Sequence, residues 1–385
     1  MSTATPDTAR SAADTLALLS QEPIEYHPGV EQVDDDEAEV LQGLLDAFRS
    51  ISEKTLQDYG QGVRAVHAKS HGVIVGELRV HEGLLPELAQ GLFAQPATYP
   101  VVMRLSTIPG DILDDRVSLP RGVAIKVVGV PGERLEGSEG HGTQDFLMVN
   151  GPVFGKAKPR DFLKNLKVVA ATTDRAPGLK QGLSTVLQGV EKAVEAVGGE
   201  SATLKSLGGH PETHILGETF FSQLPLRYGR HVAKLSLVPV SPTLVDLKDQ
   251  PLGAFEAAGT PNPIRDAVVD YFDRHGAQWE LRVQLCTNLE TMPIEDGSVQ
   301  WSEEESPFVT VATLTAGEQN AWSAERIAAV DQGMAFSPWH GLAAHRPLGG
   351  LQRVRKASYD MSARFRAQAN ARPMREPETL DDLPD

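Results

Sequence analysis

Eight short stretches of this chain limit its fold more than any single motif, because they share one texture: apolar, rich in Val, and bounded by glycine or proline. They are VRAVHAKS and GVIVGELRV, which read as two strands joined by a turn around His71–Gly72, then Tyr99–Thr107, Pro120–Val130, Asp145–Phe154, Lys234–Val240, Gln278–Thr287 and Phe308–Leu314. Helical patterns are not interleaved with them one for one. Leu41, Leu44, Leu45, Phe48 and Ile51 recur at three- and four-residue spacing across Ala38–Tyr59. Residues 159–205 are helical in pattern, most clearly in GLSTVLQGVEKAVEAVGG, and Glu318–Val330 and residues 348–368 follow suit. Runs of antiparallel-type strands followed by helices predict an α+β or barrel-plus-helix domain and argue against a doubly wound parallel sheet. Neither usual form of glycine-rich phosphate loop is present. One domain over residues 38–370 is expected. It lies between a mobile N-terminal arm, residues 1–37, rich in Ser, Thr, Asp and Glu, and a C-terminal tail, residues 371–385.

Charge narrows the partners. Lys and Arg number 36 against 52 acidic residues, a net charge of −16, which argues against a nucleic-acid or anionic-membrane binder. The single cysteine, Cys286, excludes an intramolecular disulfide and any cysteine-cluster metal site, and its alternating setting ELRVQLCTNLE predicts a buried thiol. No stretch approaches the roughly 20 continuous apolar residues of a membrane helix. The N-terminus lacks the basic start and apolar run of a secretory signal, so a cytoplasmic protein is expected.

Chemistry-bearing side chains are few. Residues 351–366, LQRVRKASYDMSARFR, hold no Pro or Gly, and Arg355 and Tyr359, four apart, share a helix face. Arg366 lies two turns beyond Tyr359 and returns to the same side. Tyr359 reads either as an amphipathic tip on a solvated face or as a phenolate axial ligand. A tyrosine titrates near 10, so the ionised form needs a cation such as Arg355 and a metal such as ferric haem iron. His67, in RAVHAKS, is either a hydrogen-bonded core or surface histidine or a catalytic one. Arg64 precedes it by three residues, so a regular strand would face the two apart unless a twist or bulge re-aims one. Arg104 interrupts the apolar strand VVMRLST and demands an anion, either a distant carboxylate or a ligand carboxylate. Arg64, Arg104 and Arg366 together would suit the two propionates of a haem. Other constellations fall short. His210 and His214 are four apart, but Gly-Gly and Pro211 disfavour the helix that a metal pair needs there. There is no GxSxG elbow, and no paired carboxylates stand in an apolar context.

The segments VRAVHAKS, VVMRLST, LPRGVAIKV, FLMVNGPVF, FSPW and RKASY stand in the order of the haem-catalase signatures and resemble them, including the separation of 37 residues between His67 and Arg104. The resemblance covers about residues 60–170 and 330–367. It implies an antiparallel eight-stranded β-barrel with flanking helices, and haem b as cofactor. By the same resemblance His67 matches the distal acid–base histidine, Ser106 the hydroxyl that orients it, and Asn150 the distal asparagine, through a one-residue gap. Tyr359 matches the iron ligand, Arg355 the residue that keeps it ionised, and Arg64, Arg104 and Arg366 the propionate binders. Val66, Phe154, Phe162 and Phe336 match apolar residues around the haem.

Three departures qualify the likeness. The family's acid before Pro-Arg-Gly is Leu119 here, the loop 131–144 is longer than usual, and 26 residues follow Tyr359 where full-length catalases continue into a helical domain. The resemblance is therefore to small catalase-related peroxidases. It implies reduction of hydrogen peroxide or organic hydroperoxides by a small reductant, with weak or no catalase activity, and leaves a homo-oligomer open. A hydroperoxide-rearranging enzyme of the allene oxide synthase or lyase type would tend to carry Thr where Val66 precedes His67. A non-catalytic haem-binding protein would need neither His67 nor Asn150.

Overall fold

The computed structural model describes residues 22–108, 110–115, 119–172, 213–252 and 261–384. Its strands are β1 (Lys69–Val80), β2 (Thr98–Thr107), β3 (Arg121–Val128), β4 (Thr143–Val149), β5 (Phe220–Phe221), β6 (Leu226–Tyr228), β7 (His231–Pro239), β8 (Ala277–Leu285) and β9 (Val309–Ala316). All neighbours are antiparallel, in the order β5-β4-β3-β2-β1-β9-β8-β7-β6, and a β5–β7 pairing closes eight of them into a barrel, leaving β6 as a hairpin arm on β7.

Residues paired across strands share a face, so the register sorts inside from outside. Ile74, Met103, Ile125 and Phe146 form one row across β1–β4, and all lie in the main apolar core. The rows between face outward: Ser106–Gly122–Val149, Val73–Arg104–Ala124–Leu147, and Val102–Lys126–Asp145. Most of these outer rows are buried too, beneath helices, while Ala124, Leu147 and Val149 are half-buried. The apolar alternation therefore marks the barrel interior, and the polar members of the same strands mark a second, covered surface.

The covering helices are α1 (Glu37–Tyr59), α2 (Pro159–Thr172), α3 (Pro263–Phe272), α4 (Ala324–Gly333) and α5 (Gly350–Ala369). α1 ends on Gly60 in the left-handed conformation (φ 67°), whose N–H returns to the Leu56 carbonyl. α4 starts at Ser323, whose hydroxyl accepts the Arg326 N–H. Val40, Leu44, Phe48 and Ile51 of α1 pack with Leu166 of α2 and Val354 of α5. Among the described residues no helix is long and apolar enough to cross a membrane.

Several expectations are corrected. The turn expected at His71–Gly72 is a β-bulge within one continuous strand, β1. Gly72 is needed for close packing, since a Cβ there would meet Val268 of α3 at 2.9 Å. His67 is not in a strand but in the bend before β1, at φ 53°. Of the arm expected to be mobile, residues 22–36 are docked. Ile24 N–H bonds the Cys286 carbonyl, Val30 is buried beside Cys286 and Trp301, and Glu31 pairs with Arg353 of α5 at 2.8 Å. The tail is held as well, through a Glu376–Lys126 ion pair and through Leu380 and Leu383 packed beside Phe336. Cys286 is buried, as its setting suggests. The helical pattern over residues 173–205 lies outside the described residues, as does His210. His214 is buried, and its Nδ1 accepts the Leu216 N–H.

Candidate active site

The residues singled out above gather on the outer face of β1–β4, beneath α4 and α5. The segment before β1 reaches them by running along α5: Asn370 exchanges two hydrogen bonds with the Gly62 backbone, and the Ser362 hydroxyl accepts the Ala65 N–H at 3.2 Å. His67, two residues beyond Ala65, therefore sits where the chain passes from α5 to the start of β1. Its left-handed backbone supplies the re-aiming that a regular strand could not, so Arg64 and His67 serve one space.

His67 Nδ1 lies 3.1 Å from Ser106 Oγ, and that hydroxyl reaches the Gly122 carbonyl at 3.5 Å. If the hydroxyl donates to the carbonyl, it accepts Nδ1–H, and Nε2 is the basic nitrogen. The imidazole sits directly over Gly122, where a Cβ would come within 2.5 Å of Cε1. Burial, with Arg104, Arg355 and Arg64 nearby, pushes His67 down to about 3, so the ring is neutral at ordinary pH. Asn150 flanks the same peptide: its Oδ1 accepts the Arg121 N–H at 2.9 Å, and its Nδ2 donates to Glu218. The Arg121–Gly122 peptide is thus a saddle with His67 over one residue and Asn150 at the other.

On the helix side, Arg355 donates to the Tyr359 hydroxyl at 2.9 Å and to Gln352 at 3.0 Å, with its guanidinium 5.2 Å from the Tyr359 ring centre. Arg64, Arg104 and Arg366 converge on the C-terminal end of α4. Arg104 Nε bonds Asp331 at 2.6 Å, Arg64 reaches the Val330 carbonyl at 2.9 Å, and Arg366 reaches the Asp331 and Met334 carbonyls at 2.6 and 3.2 Å. The end of a helix is the natural place for cations, because its last carbonyls lack helical partners. The positive charge nevertheless exceeds the negative. Asp331 is the one carboxylate in ion-pair range of these guanidinium groups among the described residues. Burial, Arg366 and Arg104 hold Arg64 well below its ordinary value against the opposing pull of Asp331. Arg366 falls to about 10, through burial with Arg104 adding and Asp331 opposing. Arg64 Nε and Arg366 Nε are buried without a hydrogen-bond partner among the described residues.

The apolar residues take two sides. Val66 and Phe162 pack with α1 and α5, and Phe154 meets Phe162 edge to face at 5.2 Å. Phe336 lies with Val73, Val102 and Met334 on the barrel face. Sequence reasoning missed Asp331, Glu218 and the clearance at Gly122. Gly122 sat inside a quoted motif, whereas Asp331 and Glu218 meet their partners only through the fold.

No protein-family model and no curated protein matches this chain. Solved structures do. A fungal catalase crystal structure is 18 % identical, with a TM-score of 0.57 over 91 % of this chain and 66 % of that one. Catalase A from Saccharomyces cerevisiae is 16 % identical, with a TM-score of 0.56 over 91 % and 67 %. A bacterial catalase is 16 % identical, with a TM-score of 0.52 over 94 % and 68 %. The chain spans about two thirds of the length of these proteins. A closed eight-stranded antiparallel barrel, helices over its outer face and these superpositions together give the conclusion that this chain has the catalase fold.

Proposed function

We propose that the protein is a haem-dependent peroxidase that reduces hydrogen peroxide or organic hydroperoxides at the expense of a small donor. The observation that carries this reading is a buried surplus of guanidinium groups, two with unpartnered Nε atoms, beside a Tyr–Arg pair and a neutral histidine. Such a surplus fits a ligand that brings two carboxylates. Arg64, Arg104 and Arg366 would bind the propionates, Tyr359 would ligate the iron with Arg355 beside it, and Val66, Phe154, Phe162 and Phe336 would wall the ring. When bound, haem b supplies a ferric centre at which a peroxide O–O bond can be split heterolytically.

The chain's own residues do the proton work. His67, neutral and oriented by Ser106, takes the proton from one peroxide oxygen and delivers it to the departing one. Asn150 holds the peroxide by an amide hydrogen bond. The hydrogen-bonded His67–Ser106 pair has no use in a protein that only stores haem.

Donor oxidation should outweigh disproportionation. Leu119 supplies no field to align a second peroxide. Asp115, a nearby acid, is committed elsewhere, with one oxygen 2.6 Å from Lys69 Nζ and the other accepting the Ile264 N–H. The test is the absorption spectrum of the purified protein with and without peroxide, beside that of Tyr359→Phe. Loss of most haem, or a sharply altered ferric spectrum, in the variant supports the ligand assignment, and an unaltered one would falsify it. Oxygen release faster than oxidation of an aromatic donor, at equal haem, would overturn the peroxidase assignment.

A further inference from the structure

We propose that Glu218 is a positioning residue that fixes the amide of Asn150 for the peroxide reaction, resting in that last step on the functional reading above. The Arg121 N–H needs an acceptor, so Asn150 must turn Oδ1 toward it, at 2.9 Å. That orientation puts Nδ2 on the other side, where it donates to Glu218 Oε2. The other carboxylate oxygen, Oε1, accepts from the Arg121 guanidinium and from Thr213 Oγ1, the latter at 3.0 Å. Arg121 is in turn buried and donates to the Thr213 carbonyl at 2.5 Å. Glu218 thus receives donors on both oxygens, from Asn150 on one side and from Arg121 and Thr213 on the other. The Asn150 amide is clamped at both ends, with the backbone of β3 fixing its oxygen and Glu218 fixing its nitrogen. A donor held in this way needs no reorganisation when peroxide arrives.

The logic separates variants of nearly equal shape. In Glu218→Gln the amide must present either its nitrogen to Asn150 Nδ2 or its nitrogen to the Arg121 and Thr213 donors. Each choice opposes two donors, and flipping Asn150 in response would turn its nitrogen onto the Arg121 N–H. Glu218→Asp keeps two acceptor oxygens and should recover part of the clamp.

The first measurement needs no haem: hydrogen exchange and NMR of the Asn150 side-chain amide and the Arg121 backbone amide. Glu218→Gln should speed exchange at both by about tenfold or more, the worth of a hydrogen bond to a charged group, and Glu218→Asp by less. Unchanged exchange in Glu218→Gln overturns the clamp, whatever the protein binds. The second uses the haem-loaded protein and peroxide. Glu218→Gln should lower kcat/KM by about tenfold to a hundredfold, yet cost nothing further when added to Asn150→Ala. An equal loss in both backgrounds shows that Glu218 does not act through Asn150 and overturns the positioning role. If wild type takes up no haem, the functional reading fails, and the exchange measurement still decides the clamp.

Discussion

Two ionic clusters lie buried on the outer face of β1–β4, both reaching Phe336, and they are balanced differently. Lys126, fully buried, pairs with Asp145 at 2.6 Å and Glu376 at 2.5 Å, and its ammonium lies 5.1 Å from the Phe336 ring centre. Arg64 approaches the same ring at 5.7 Å, but belongs to a group of three guanidiniums with Asp331 as carboxylate partner. In the first cluster, burial alone would lower Lys126, and its two carboxylates hold it above its ordinary value. In the second, burial and like charges lower Arg64, and Asp331 does not restore it. A buried cation held by two carboxylates of the chain itself ties the fold together. A set with more guanidinium groups than carboxylates is completed by an anion from outside.

The largest expected effect breaks this comparison directly. Lys126→Met strands two buried carboxylates and should cost about 3–5 kcal/mol in urea unfolding of the haem-free protein. Arg366→Met removes one of three mutually repelling charges and should cost the haem-free protein far less. It should instead weaken haem retention by roughly 10- to 100-fold, the worth of a hydrogen bond to a charged group. Equal unfolding costs for the two variants would mean that the guanidinium cluster is as self-sufficient as the lysine cluster.

A second test uses acid. His67, His214 and His345 are pushed down by burial to about 3, 4 and 4, with nearby arginines adding at His67 and His214. A folded-state value below the unfolded one means that the unfolded chain binds the proton more readily. The associated stability is fully present above about 6.5 and is lost as pH falls toward the folded values. Asp145 is also lowered, against the opposing effect of its burial and chiefly by Lys126, so its contribution is lost only below the ordinary carboxylate range. The buried histidines and the lysine cluster should therefore fail in different windows. His67→Gln should flatten the fall between pH 6 and 4 by up to about 1.4 kcal/mol per pH unit. An unchanged slope would place a protonated His67 within the folded protein's tolerance.

The sequence made one half of this architecture legible. Strands of seven to twelve residues advertise themselves by apolar, Val-rich runs between glycines and prolines, and β1–β4 and β7–β9 all fall in such stretches. β5 and β6, two and three residues long, are too short to show a period. Arg355 and Tyr359 could be paired from spacing alone because both ride one helix. Arg104 showed only that it needed an anion, since Asp331 lies 227 positions away. Glu218 had no local signal at all, being 68 positions from Asn150. The left-handed backbone at His67 hid in a valine-rich stretch that looks like a strand and begins one only two residues later, at Lys69.

The smallest effect concerns Ser106, which orients His67 without touching the guanidinium cluster. Its hydroxyl has one hydrogen and two lone pairs, and the Gly122 carbonyl can only accept. Donating to that carbonyl leaves Ser106 Oγ as an acceptor for His67 Nδ1–H, which selects the tautomer whose Nε2 can take a proton. Ser106→Ala keeps a neutral ring over Gly122 but removes the preference for that tautomer. A neutral hydrogen bond is worth about 0.5–1.5 kcal/mol, so the reaction with peroxide should slow by roughly 2- to 10-fold. His67→Ala, which removes the base itself, should slow it by roughly 100- to 10,000-fold. Nitrogen chemical shifts of His67 in the haem-free protein read the tautomer independently of the reaction. A mixed population in Ser106→Ala with a reduced rate supports the role. An unmixed population with the same rate would leave Ser106 a packing residue and transfer the orienting role to the tight seat over Gly122.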